Sequence, residues 1–272
     1  MSLLSDDFRG VALNKIVNMA DVSFPVINYD GAIKIFQQWI DERKPSQQVC
    51  IVNVHTLVSA MRNPAFRSIM QQAGMNTMDG QPLKWYANAV CQADVNERVC
   101  GPELMLRCLD QGVERGWQHY FLGGRPEVLE SLESRVLQRF PGVQIAGSYS
   151  PPFRSVTDGE ETEMIAHINA SKANILWVGL GAPRQEQWIH RNLHRLTVPV
   201  CVGVGAAFDF HAGSITRAPS WMQSAGLEWL YRVIADPRLF RRYLDTNPPF
   251  LWMLIRDWVR VHVLRRSGIC NK

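Results

Sequence analysis

Asp79 stands in the stretch MNTMDGQPLKWYA, Met75 to Ala87, as one carboxylate between two largely apolar segments, with no second acid, histidine pair or metal-ligand cluster beside it in sequence. A single carboxylate suits general-base work, the removal of one proton from an attacking hydroxyl. Asp-Gly is equally a common turn pair, so Asp79 also fits a plain turn before Gly80, and these residues alone leave both readings open. Other chemistries find little support. His190 and His194 have the four-residue spacing of two metal ligands, but "HRNLH" lacks the glutamate of H-E-x-x-H and is flanked by Arg191 and Arg195. No D-x-D pair occurs to hold a metal on a sugar-nucleotide diphosphate, and no G-x-S-x-G elbow marks a serine hydrolase. His55 and His211 lie near candidate turns, where lone histidines are more often structural.

Three glycine turns are the next candidates: Gly123-Gly124, Gly179-Leu180-Gly181 and Gly203-Val204-Gly205. Glycine lets backbone N–H groups approach a phosphate, and the dipole of a following helix favours the anion. Each turn is also explained by tight strand-to-helix geometry; together they suggest a nucleotide or phosphate ligand. Neither "GLGAPR" nor "GVGAAF" completes G-x-G-x-x-G, which disfavours a nicotinamide-dependent dehydrogenase.

The elements that must position these residues are legible as apolar runs, each leading into a helix-like segment. "QVCIVNV" precedes "HTLVSAMRNPAFRSIMQQAG", "HYFLGG" precedes "RPEVLESLESRVLQRF", "NILWVGLGA" precedes "PRQEQWIHRNLHRL", and "VPVCVGVGAAFD" closes the series. Continuous apolar strands alternating with amphipathic helices predict an α/β fold: a mainly parallel, Rossmann-like sheet with helices on both faces. Pro102, Pro126 and Pro183 suit first helical turns. Ligands of such sheets bind at the carboxyl ends of the strands, where the glycine turns lie.

The chain has 272 residues, 46% hydrophobic, enough for a substantial core. Its six cysteines, Cys50, Cys91, Cys100, Cys108, Cys201 and Cys270, show no CxxC spacing and several sit in apolar runs, which points to a reducing compartment. The start "MSLLSDDFRG" lacks a basic n-region and an apolar h-region, so no signal peptide is expected, and no run has the length of a membrane span.

From Glu228 onward nine basic residues face four acids, although the whole chain carries only +4. Aromatic residues from Trp229 to Trp258 interleave with arginines, and Pro248-Pro249 predicts a break into two helices, the second running from Phe250 to Arg266. In that helix Arg256 and Arg260 are four apart beside Asp257, while Trp252, Ile255, Val259 and Val263 share another face. Such a helix either lies in a membrane interface or docks on the body with its arginines in solvent. Nucleic-acid binding would leave the apolar face unexplained. The chain is therefore divided into an α/β catalytic domain, residues 1–227, and a basic helical appendage, residues 228–272.

The ordered blocks "NVHTLVSA", "MDG", "ERVCGPELM", "FLGGRPEV", "WVGLGAPRQEQWI" and "GVGAAFDFHAGSITRAPSWMQSAGLEWLYRVIADPRLFRRYL" resemble the WecG/TagA/CpsF family of bacterial glycosyltransferases, glycosyltransferase family 26, from about Val49 to Leu244. The resemblance implies inverting, metal-independent transfer of a sugar from a UDP-sugar to a polyprenyl-diphosphate-linked saccharide in cell-surface polymer synthesis, with no cofactor. It implies a peripheral location on the cytoplasmic face of the inner membrane. It gives Asp79 the role of base, with Asn53 nearby and Arg98 near the diphosphate. Ile51 stands where the family has Thr. Gly123, Gly124, Gly179, Gly181, Arg184, Gln185 and Asp209 match the donor side. Arg232, Arg238, Arg241 and Arg242 match tail arginines over the lipid diphosphate and the membrane. A non-catalytic nucleotide-sugar-binding scaffold is the alternative, and a homo-oligomer stays open.

Overall fold

The computed structural model describes residues 15–264. In chain order the elements are β1 (Ile16–Met19), β2 (Val22–Pro25), α1 (Tyr29–Asp41), β3 (Gln47–Val52), α2 (Val54–Arg62), α3 (Pro64–Gln72), β4 (Met75–Met78) and α4 (Gln81–Cys91). They continue with α5 (Gly101–Arg115), β5 (Gln118–Gly123), α6 (Pro126–Arg139), β6 (Gln144–Tyr149), α7 (Asp158–Ala170), β7 (Ile175–Gly179), α8 (Arg184–Asn192) and β8 (Val200–Gly203). The last four are α9 (Ala207–Ala212), α10 (Ser220–Ser224), α11 (Glu228–Ala235) and α12 (Leu239–His262).

The expected α/β architecture is present. Six strands follow the order β4-β3-β8-β7-β5-β6, and the pairings β3–β8, β8–β7, β7–β5 and β5–β6 are parallel. The four apolar runs read from the sequence are β3, β5, β7 and β8; their interiors are buried, because helices cover a parallel sheet on both faces. β1 and β2 form a separate antiparallel hairpin.

By contacts the chain forms two compact units. One comprises Met1–Asn28, Ile51–Cys100 and Arg217–Lys272; the other comprises Tyr29–Cys50 and Gly101–Thr216. Residues 228–264, expected to form an appendage, thus share a unit with residues 51–100.

In the second unit the carboxyl ends of β5 and β7 meet through glycine. Gly123 has φ +115°, and a Cβ there would lie 2.7 Å from the carbonyl carbon of Gly179, so neither backbone conformation nor space admits a side chain. A Cβ on Gly179 would in turn lie 2.6 Å from the Phe208 ring.

Three local expectations need correction. The helical pattern after β3 is two helices, because Asn63 caps α3: its Oδ1 accepts from the N–H groups of Ala65 (3.0 Å) and Phe66 (3.2 Å), and Pro64 follows at the first turn. His194 lies beyond the end of α8, so it does not share that helix with His190. Pro248-Pro249 does not break the C-terminal helix; α12 continues through both prolines, and the break falls at Asp236-Pro237. Pro249 has no N–H to offer the Asp245 carbonyl, and that carbonyl instead accepts from Arg62 Nη2 at 2.8 Å, which compensates the lost helical bond. Arg265, Arg266, Cys270 and Lys272 lie outside the described residues.

α12 packs against α2 and α4 through Thr246, Phe250, Met253 and Asp257. Asp257 is buried, accepting from the Tyr86 hydroxyl (2.9 Å) and from Arg256 Nε (2.7 Å), so the acid expected beside the arginines points inward. Leu244, Leu251, Trp252, Ile255 and Trp258 remain exposed, between 43% and 62%. Docking on the body and an outward apolar face, alternatives on the sequence alone, occur together.

Candidate active site

Within the first unit a cavity of about 120 Å³ forms where β4 ends. Asp79 follows the buried strand β4 directly, and its N–H donates to the Val52 carbonyl at 2.9 Å. The segment carrying Arg98 is tied to the same strand: Val99 N–H donates to the Met78 carbonyl (3.1 Å), and Thr77 Oγ1 donates to the Val99 carbonyl (3.0 Å). Arg98 Nη1 then donates to the Asp79 carbonyl oxygen at 3.0 Å. Two residues 19 apart in sequence are thereby fixed in one wall.

The Asp79 carboxylate itself makes no hydrogen bond or ion pair with a described residue and faces the cavity. Burial, reinforced by the negative charge of Glu228, raises its pKa from the usual 3.8 to about 6, against the opposing pull of Arg98, Arg217 and Arg232. It is therefore ionised at neutral pH yet a stronger base than an ordinary aspartate.

Asn53 lines the same cavity and caps α2. Its Oδ1 accepts from the Thr56 N–H at 3.1 Å, which leaves the amide nitrogen as the donor available to a ligand. His55 lines the cavity as well, its pKa lowered first by burial and then by Arg242, so it is neutral at pH 7. Of the four tail arginines, Arg232 and Arg242 line the wall, whereas Arg238 and Arg241 are exposed outside it. Ile51 is a buried core residue at 6% exposure.

Within the second unit a cavity of about 600 Å³ opens beyond the carboxyl ends of β5 and β7. Gly124, Gly179, Arg184 and Asp209, all expected on the donor side, line it. Gly123, Gly181 and Gln185 do not. Gly123 is consumed by the contact with Gly179, and Gln185 is 3% exposed with its amide committed internally: Oε1 accepts from Gly205 N–H (2.9 Å) and Nε2 donates to Glu186 Oε1 (2.8 Å). Gln185 thus shapes the Gly203–Gly205 turn. Glu186 beside it is fully buried, with a pKa raised to about 7 by burial.

Residues not singled out from the sequence complete both cavities. Arg125, Arg154 and Arg191 add to the larger one; Arg154 and Arg191 pair with Glu160 and Glu161, while Arg125 and Arg184 pair with no acid among the described residues. Gln223, Glu228 and Trp229 add to the smaller one. The long block from Gly203 to Leu244 contains Gln223, Glu228 and Trp229, but nothing in the sequence says that they face Asp79.

The sequence profile described as the glycosyl transferase WecG/TagA/CpsF family matches residues 17–263, and the chain belongs to that family. It is a glycosyltransferase. A relative from Bacillus spizizenii, named N-acetylglucosaminyldiphosphoundecaprenol N-acetyl-beta-D-mannosaminyltransferase, is 31% identical over 186 residues, 68% of this chain and 70% of the relative.

The raised proton affinity of Asp79 has a stability consequence. The folded state holds this proton more tightly than the unfolded chain, so stability falls as pH rises from about 4 to about 6, the full penalty persists above that, and it vanishes once both states are protonated toward pH 4 and below. Asp79→Asn is expected to melt above wild type at pH 8 and level with it at pH 4. A variant melting below wild type at pH 8 contradicts the assigned environment.

Proposed function

We propose that the chain transfers a sugar from a UDP-sugar, with inversion and without a metal ion, to a saccharide carried on undecaprenyl diphosphate at the inner-membrane surface. The observation that carries the reading is the uncommitted, half-buried Asp79 carboxylate beside Arg98 and Arg232. Inversion in one displacement requires one base: the carboxylate takes the acceptor hydroxyl's proton, the oxygen attacks the anomeric carbon, and the UDP departs from the opposite face. The name of the Bacillus relative, a sugar transferred to N-acetylglucosaminyl-diphospho-undecaprenol, supports the acceptor class.

In the second unit's cavity, Arg125 and Arg184, without acidic partners among the described residues, carry guanidiniums suited to a diphosphate, and Asp209 can accept from ribose or base N–H and O–H groups. The guanidiniums offset charge that develops on the leaving UDP, the task a metal performs in D-x-D enzymes. In the first unit Arg98, Arg232 and Arg242 suit the second diphosphate, that of the acceptor. Calorimetry in EDTA is expected to give micromolar UDP binding, weakened about ten- to a hundredfold by Arg125→Gln or Arg184→Gln. Asp79→Asn is expected to retain that binding while turnover falls about 10²- to 10⁴-fold. Binding that needs a divalent ion, or an Asp79→Asn enzyme with near-normal turnover, removes the corresponding part of the reading.

No helix among the described residues is long and apolar enough to cross a membrane. The exposed row Leu244, Leu251, Trp252, Ile255 and Trp258, bordered by Arg256, Arg260 and the exposed Arg238 and Arg241, suits an interfacial position in which apolar groups enter the headgroup layer and arginines meet anionic lipid. Vesicles rich in phosphatidylglycerol are expected to sediment the protein, less so at high salt and far less after Trp252→Gln with Ile255→Gln. Equal sedimentation by the double variant sinks the docking face.

A further inference from the structure

Glu228, the first residue of α11, sits in the wall of the Asp79 cavity and touches two guanidiniums at once. Its Oε2 lies 3.4 Å from Arg98 Nη1 and Nη2, and its Oε1 lies 3.5 Å from Arg217 Nε. The three side chains are 15–24% exposed, so water screens them only partly. Arg98 is held further by the Asp79 carbonyl and by Gln223 Oε1 at 3.4 Å, and Arg217 by Cys100 Sγ at 3.3 Å.

This arrangement bears on how Asp79 can act as a base. A carboxylate among Arg98, Arg217 and Arg232 would be expected to ion-pair with them and become a weak base, because neighbouring cations stabilise its charged form. Arg98 reaches only the backbone oxygen of Asp79, and no ion pair forms at the Asp79 side chain among the described residues. The charge that the arginines would draw from Asp79 is supplied by Glu228.

We infer that Glu228 is a positioning residue for the transfer reaction: by engaging Arg98 and Arg217 together it holds both cations on its own carboxylate and leaves the Asp79 carboxylate uncommitted. The inference rests on Asp79 being the base. Glu228 is also the group whose charge works with burial in raising the proton affinity of Asp79, against the three arginines. His55 and Arg242 from α2 and α12 face the same cavity. Burial and then Arg242 lower the pKa of His55, so any limb of its own lies on the acid side of an ordinary histidine.

The test is the pH dependence of kcat/KM, which reports titrating groups of the free enzyme. Wild type is expected to lose activity below about pH 6 as Asp79 protonates. Glu228→Gln is expected to move that acid limb down by about half to one pH unit and lower the plateau about three- to tenfold. Arg217→Gln, which removes a positive charge, moves the limb up. Glu228→Asp keeps the charge and the wild-type limb. A purely structural role lowers activity without moving the limb, and an unmoved limb in Glu228→Gln and Arg217→Gln overturns the inference. Should Glu228→Gln not fold, Arg217→Gln decides the same question. Carbon-13 NMR titration of the Asp79 carboxyl, identified by its loss in Asp79→Asn, reads the same shifts where turnover is too slow. An active Asp79→Asn overturns the base reading itself and the inference with it; an inactive Asp79→Asn with unmoved limbs overturns only the role of Glu228.

Discussion

A negative charge kept basic among positive ones is the constraint on which the smaller cavity depends. The proposed diphosphate site needs cations such as Arg98, Arg232 and Arg242 in the cavity wall, yet cations that reached the Asp79 carboxylate would quench a base. The structure separates the two demands. Backbone bonds from β3 and β4 fix Asp79 and the Arg98 segment, the Asp79 carbonyl rather than its side chain receives Arg98, and Glu228 takes the remaining contact. Glu228 and Arg232 belong to α11, so the C-terminal helices line this cavity as well as carrying an apolar face.

The two cavities solve different electrostatic problems. In the larger one, Arg125 and Arg184 lack acidic partners among the described residues, as suits a site whose ligand brings its own negative charge. In the smaller one Glu228 partly offsets the neighbouring cations, consistent with the proposed site that holds an anion and runs a proton transfer. α12 divides its faces in a similar way. It buries Asp257 against Tyr86 and Arg256, and that buried polar contact fixes the helix rotation that turns Trp252 and Ile255 outward.

Much of the fold is legible in the sequence where one physical rule dominates. Strands buried on both faces must be continuously apolar, so β3, β5, β7 and β8 stand out directly. The strands β4 and β6 and the hairpin β1–β2 carry weaker apolar patterns that no single rule picks out. Pro248-Pro249 predicts a break because a local rule cannot see that Arg62, far away in sequence, satisfies the carbonyl that Pro249 abandons. The glycine turns point to the larger cavity, but Gly123 and Gln185 do structural work there: Gly123 closes on Gly179, and Gln185 spends its amide on Gly205 and Glu186. Asp79, Asn53 and Arg98 are marked by family resemblance. Glu228 and Arg217 are not, because their meaning lies in contacts with Arg98 and Cys100, 130 and 117 residues away, a proximity that only the fold creates.

A single-base displacement at the anomeric carbon fixes the configuration of the product, and that configuration is the measurement to make. The enzyme would be given an α-linked UDP-sugar and a short-chain polyprenyl-diphosphate N-acetylglucosamine in EDTA, and the new linkage assigned by proton NMR. A β-linked product formed without added metal is expected. An α-linked product would require a second nucleophile that Asp79 alone does not supply, and it would contradict a displacement run by one base.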